Sequence, residues 1–170
     1  MVQRKRNTKT VPVSYDPVNE IVAGMAKKLI AKFHDELINS KIAYLFKNKP
    51  MTQKGKAVAA TAEKVGDKMK ALCEQDFLIV ISYPTWQDLT DKEKWAVLDH
   101  ELQHCFAGET EAGDAVHKIL DHDFSDFGVV IQRHGFYGDL SILRTVLKEV
   151  EKKEEQQAQK GIVITKEAAA

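Results

Sequence analysis

The residues with the clearest chemical potential form one short run, His100-Glu101-Leu102-Gln103-His104, a His-Glu-x-x-His motif. In an α-helix, residues four apart lie one turn apart on the same face, roughly 5–6 Å between Cβ atoms. Two imidazoles at that spacing can share one tetrahedral zinc ion, and Glu101 points to the same side, within reach of a water beside the metal. The chemistry this implies is hydrolysis. Zinc acidifies a water toward a pKa of about 7 and polarises a carbonyl. Glu101, as general base, takes the water proton and returns it to the leaving amine. A charged helix can also spell such a pentapeptide by accident, so the surrounding residues have to decide.

Two histidines hold zinc poorly, and a catalytic site uses three protein ligands while leaving a position for water. Five of the six histidines lie between positions 100 and 134: His100, His104, His117, His122 and His134. The extended metzincin pattern is absent, because its glycine and histidine positions hold Ala107 and Thr110. Glu109 and Glu111 follow the motif too closely to act as a glutamate ligand from a later helix. His122 is the best placed third ligand, immediately before an apolar periodicity that can fold back on the motif helix. His117 is the runner-up, its alternative being an exposed residue on an edge strand. A carboxylate, Asp123 or Asp126, is also open as third ligand. Those two aspartates could instead fix the far nitrogen of a ligating histidine, or complement a helix dipole. His134 and Tyr137 are candidates for stabilising an oxyanion.

The motif needs a helix to carry it. Thr90 and Glu93 have capping-box spacing at its start, and Gly108 is the expected stop. Trp95, Leu98, Leu102 and Cys105/Phe106 recur at three- and four-residue steps, a stripe facing a core. Just upstream, Phe77-Leu78-Ile79-Val80-Ile81-Ser82-Tyr83 reads as a strand buried on both faces. The segment 84–89 reads as a loop whose Trp86 packs over the core. Asp16-Pro17 reads as the capped start of a first helix running to about Asn39, with His34 late in it as a surface or C-terminal-turn residue. Residues 42–46 suggest a strand. Residues 58–72 fit helical spacing, or a strand over 56–62 followed by a short helix over 67–73; helix is expected in the second half and the first half stays open. Residues 109–114 read as a loop and 115–120 as a short strand. A helix is expected over 124–134 and a last one from about Asp139 to Val150.

His100-Glu101-Leu102-Gln103-His104, His122-Asp123-Phe124-Ser125-Asp126-Phe127 and Arg133-His134-Gly135 together resemble the putative phage metallopeptidase family. The Asp76-Phe77 strand, the tryptophan after it and Leu89-Thr90 fit the same pattern, so the likeness covers roughly residues 17–135. More distantly the chain is similar to SprT-like zinc proteases, in which a histidine just ahead of a helix supplies the third ligand. Here Asp123 and Phe124 stand where those proteins have Gly-Pro. The resemblance implies a zinc metallopeptidase acting on a protein or peptide substrate. It implies an α+β, zincin-like domain in which a small β-sheet packs against the motif helix and flanking helices.

At 170 residues the chain fits a single domain, expected over 11–150. Residues 1–10 read as a flexible basic tail, and 151–170 as a charged, disordered one. Lys+Arg and Asp+Glu are both 25, so no strong overall positive charge recruits nucleic acid. The basic tail leaves open a nucleic-acid-associated protease, which the neutral balance disfavours. No apolar run approaches a membrane span, and Cys73 and Cys105 make no disulfide framework, so a reduced cytoplasmic location is expected. No feature sets an oligomeric state. The rival function is a zinc-stabilised binding or host-interaction protein without proteolysis. Such a structural site would be closed by four ligands and would have no use for Glu101.

Overall fold

The computed structural model describes residues 11–122, 131, 133 and 141–167. In chain order these form β1 (Tyr15–Pro17), α1 (Glu20–Phe33), a 3₁₀ turn (Asp35–Leu37), β2 (Ile42–Lys47), β3 (Met51–Gln53), β4 (Lys56–Val58), β5 (Ala60–Lys64) and α2 (Asp67–Cys73). They continue with β6 (Phe77–Ser82), α3 (Tyr83–Asp88), α4 (Asp91–His104), β7 (Cys105–Glu109), β8 (Ala115–Ile119) and α5 (Ser141–Glu167). The α+β reading holds. By internal contacts the chain divides into two units after Asp121. The elements from β1 to β8 build the first, and α5 belongs to the second.

The apolar run at 77–82 becomes the inner strand of a four-stranded mixed sheet ordered β1-β2-β6-β5. β6 pairs in parallel with β2, Ile42 opposite Phe77, and antiparallel with β5, Ala62 opposite Ile79. Phe77, Ile79 and Ile81 are fully buried and Val80 nearly so. That two-sided burial is the reason the run has no polar alternation. Leu98 and Leu102 of α4 and Cys105 at its end join Phe77, Ile79 and Ile81, with Val22 and Leu29 of α1, in one core. α1 packs on α4, and α4 on β5. The motif helix is therefore seated on the sheet through the stripe legible in the sequence, except that Phe106 is exposed.

Several boundaries differ from the expectation. Asp16-Pro17 does not open a helix; both residues lie in β1, an edge strand paired with β2, where a missing proline N–H costs little. The helix begins later, with the Asn19 side chain accepting the Val22 N–H as its cap. It ends at Phe33 because His34 takes φ −133°, and the next residues tighten into a 3₁₀ turn that buries Leu37. Residues 58–72 are not one helix. β3 and β4 form a hairpin whose two turn residues, Lys54 and Gly55, both have positive φ, as a primed turn requires. β5 and α2 follow, as in the alternative reading. Residues 83–88 are helical, not a loop, with Ser82 accepting the Thr85 N–H and Pro84 in the first turn. Trp86 is buried as anticipated.

Gly108 is not the stop of the motif helix. Cys105 turns extended, φ −83° and ψ 128°, because residues 105–109 pair with 115–119 as an antiparallel hairpin. The expected helix over 124–134 lies outside the described residues. The last helix runs on through Glu167, across the stretch whose charge and alanine content suggested a disordered tail. Among the described residues, no helix is long and apolar enough to cross a membrane.

One carboxylate joins the lower end of the sheet to its neighbours. Asp76 Oδ2 accepts the Lys41 backbone N–H at 2.8 Å, Oδ1 accepts from the Lys70 ammonium, and His117 Nε2 lies 3.5 Å away. Burial alone would raise its pKa, but the bonds from Lys70 and Lys41 and the charges of His117 and Lys70 outweigh it and hold Asp76 below its usual value. A depressed folded pKa means the unfolded chain binds the proton more readily, so this stabilisation is complete above about pH 4–5 and fades as the carboxylate protonates at lower pH. Asp76→Asn is expected to cost about 1–3 kcal/mol at pH 7, with the gap to wild type closing below about pH 4. Urea unfolding followed across pH checks this; a gap independent of pH would refute it.

Candidate metal centre

Helix α4 begins at a closed capping box. Thr90 Oγ1 accepts the Glu93 N–H at 3.4 Å, and a Glu93 carboxylate oxygen accepts the Thr90 N–H at 2.8 Å. From that cap the helix runs unbroken to His104, so His100 and His104 stand on adjacent turns of one face. Their rings meet edge to face, centroids 4.9 Å apart at 87°, and their Nε2 atoms lie 3.3 Å apart. Two nitrogens each 2.0–2.1 Å from one tetrahedral ion lie about 3.3–3.4 Å apart. The pair already has that spacing.

His104 is held by the backbone that follows the hairpin. Its Nδ1–H donates to the Leu120 carbonyl at 2.6 Å, and the Leu120 N–H donates to the His104 carbonyl at 2.8 Å. A carbonyl can only accept, so the ring proton sits on Nδ1 and the Nε2 lone pair faces His100. Leu120 is two residues from His122. One ligand atom from each of His100, His104 and His122 lies within 4.8 Å of the other two. Three imidazoles converging in this way, one with its far nitrogen fixed by a carbonyl, form a donor set that suits zinc.

Glu101 faces inward. It is 6 % exposed, and its carboxylate accepts the backbone N–H of Ala62 on β5. Burial pushes its pKa up to about 7, against the opposing pull of His104 and the Ala62 N–H. Cys105 donates to the Glu101 carbonyl at 3.5 Å. Its thiol is pushed up to about 12 by burial and by Glu101, so it stays protonated, in keeping with a small core residue.

The structure brings His100, His104 and His122 together and leaves His117 out. His117 is half-buried on β8, beside Asp76 and edge-on to the Phe77 ring with centroids 5.4 Å apart. Asp123, Asp126, His134 and Tyr137 lie outside the described residues. His34, expected at the surface or in the C-terminal turn, is the C-cap of α1 but only 2 % exposed, and its Nε2 lies 2.7 Å from Asp99 Oδ1. That bond ties the end of α1 to the residue beside His100. No spacing in the sequence links positions 34 and 99, just as none links Glu101 to Ala62 or His104 to Leu120.

The fold and this centre define an α+β domain with a helix-borne histidine pair, a third histidine beyond a hairpin, and a buried glutamate. The chain belongs to the putative phage metallopeptidase family, whose model matches residues 18–153. No curated protein and no solved structure matched.

The ligand assignment is checked by titrating zinc into single variants. His122→Ala is expected to weaken zinc by more than about 100-fold, beyond the 10–100-fold typical of a lost outer partner, with His117→Ala at the wild-type affinity. The reverse ranking would move the third ligand to His117.

Proposed function

We propose that the protein is a zinc-dependent metallopeptidase that hydrolyses peptide bonds in a protein or peptide substrate. His100, His104 and His122 would hold the ion, and Glu101 is the general base. The observation that carries this reading is the pairing of three converging imidazoles with a glutamate from the same helix that is buried and held by a strand amide. A structural zinc site has no need of such a glutamate.

When bound, zinc would supply Lewis-acid polarisation of the scissile carbonyl and acidification of a water. The chain's own residues do the rest. The Leu120 carbonyl keeps the His104 proton on Nδ1, so that Nε2 is available as a donor. The Ala62 amide orients the Glu101 carboxylate while leaving it further acceptor positions. A carboxylate raised toward neutrality can take up a proton at one oxygen during attack and release it to the departing amine. Membership of the metallopeptidase family supports the same reaction class.

Purified protein is expected to carry about one zinc per chain, and Glu101→Gln to keep it while losing about 10²–10⁴-fold in peptidase activity. Metal analysis beside a peptide-cleavage assay reads both quantities. Wild type that takes up no zinc, or a Glu101→Gln variant as active as wild type, would overturn the reading.

A further inference from the structure

The strand that holds Glu101 leads directly to a second site. On β5, the Ala59 carbonyl accepts from Ser82 and the Val65 N–H donates to Asp76, so the backbone groups of this odd-numbered set face β6. Those of Ala60, Ala62 and Lys64 face the opposite edge, as the Ala62 bond to Glu101 requires. Lys64 is one strand repeat beyond Ala62, about 7 Å along the chain. Its cross-strand partner is Phe77, on whose ring His117 rests.

Between the end of β5 and β8 lies a cleft of about 340 Å³, lined by Lys64, Asp67, Lys70, Asp76, His117 and Lys118 among others. Its charges are unequally committed. Asp76 accepts from the Lys70 ammonium and the Lys41 amide, with His117 beside it, so its negative charge is already answered. Lys64 and Lys118 make no ion pair among the described residues, and only the exposed Asp67 opposes them. The neighbouring cleft, which shares Lys70, Asp76 and His117, is also lined by Glu36, Glu109 and the Lys41–Glu74 pair. The ammonium groups without an ion pair among the described residues, Lys64 and Lys118, therefore line the cleft at the end of β5, the strand that carries Ala62.

We propose that this cleft is a carboxylate-binding subsite of the same centre, in which Lys64 and Lys118 receive an anionic group of the substrate within about two residues of the bond acted on. The group is the side chain of an Asp or Glu, or the terminal carboxylate of the peptide; both present the same chemistry to an ammonium. This rests on the peptidase reading and names its substrate class.

The test uses the full-length, zinc-supplied chain and labelled decapeptides in which a single Glu is walked along a neutral sequence, each made with a free and an amidated C-terminus. Binding is read by fluorescence anisotropy and cleavage by mass spectrometry. One Glu position is expected to bind tighter than its Gln counterpart, with an advantage that shrinks as salt rises toward about 0.5 M. Gain from the free terminus instead of the internal Glu assigns the terminal carboxylate. The double variant Lys64→Glu/Lys118→Glu is expected to lose roughly tenfold or more for the acidic peptide while keeping the neutral one. Single Lys64→Gln and Lys118→Gln variants give smaller losses and guard against misfolding of the double one. Cleavage with no preference for a carboxylate, or a preference that survives the double variant, overturns the subsite and leaves the peptidase reading standing. Carboxylate-selective binding without hydrolysis upholds the subsite and removes the peptidase reading.

Discussion

The two hydrogen bonds between His104 and Leu120 set the geometry of the centre. One joins backbone to backbone and ties the end of the helix to the residue that follows β8. The other uses the imidazole itself and fixes which nitrogen carries the proton. A single residue thus acts as helix terminus, strand anchor and proposed ligand. The bonds also explain why a helix-capping glycine is not needed: the chain leaves α4 straight into β7, and the hairpin partner answers its end. With Leu120 anchored, His122 has only one intervening residue through which to vary.

Glu101 depends on a different part of the molecule. Its carboxylate is answered by a strand amide, and that strand is held in place by β6. The positions of α1 and α4 are linked both by the apolar core and by the bond from His34 to Asp99. Burying a carboxylate away from water opposes its ionisation, while His104 and the Ala62 N–H limit that opposition. The balance leaves a glutamate able to change protonation state near neutrality, which a solvent-exposed carboxylate would not do.

Much of this was legible from local pattern. The capping box, the apolar stripe of Leu98 and Leu102, the two-sided burial of residues 77–82 and the short strand at 115–119 all follow from interactions between near neighbours or from simple burial. What escaped was decided at a distance. Asp16-Pro17 reads locally as a helix start, yet pairing with β2 makes it a strand. Residues 58–64 fit both a helical period and a strand, and only the open edge of β6 decides for the strand. His34 looks like a surface residue because its partner stands 65 positions away. The same limit applied at the centre: the histidines could be proposed from spacing, but the Ala62 amide and the Leu120 carbonyl exist only in the folded chain.

The hairpin of β7 and β8 has a consequence for the order in which the centre is built. All three proposed ligands fall within positions 100–122, joined by a helix and a hairpin whose contacts are local in sequence and form quickly. The seat of Glu101 needs β5 and β6, and behind them the parallel pairing of residues 42–47 with 77–82, which closes a long loop and is slow by comparison. A folding chain would therefore bring the three proposed ligands together before it seats Glu101. The carboxylate of Glu101 would reach its place beside Ala62 only with completion of the sheet.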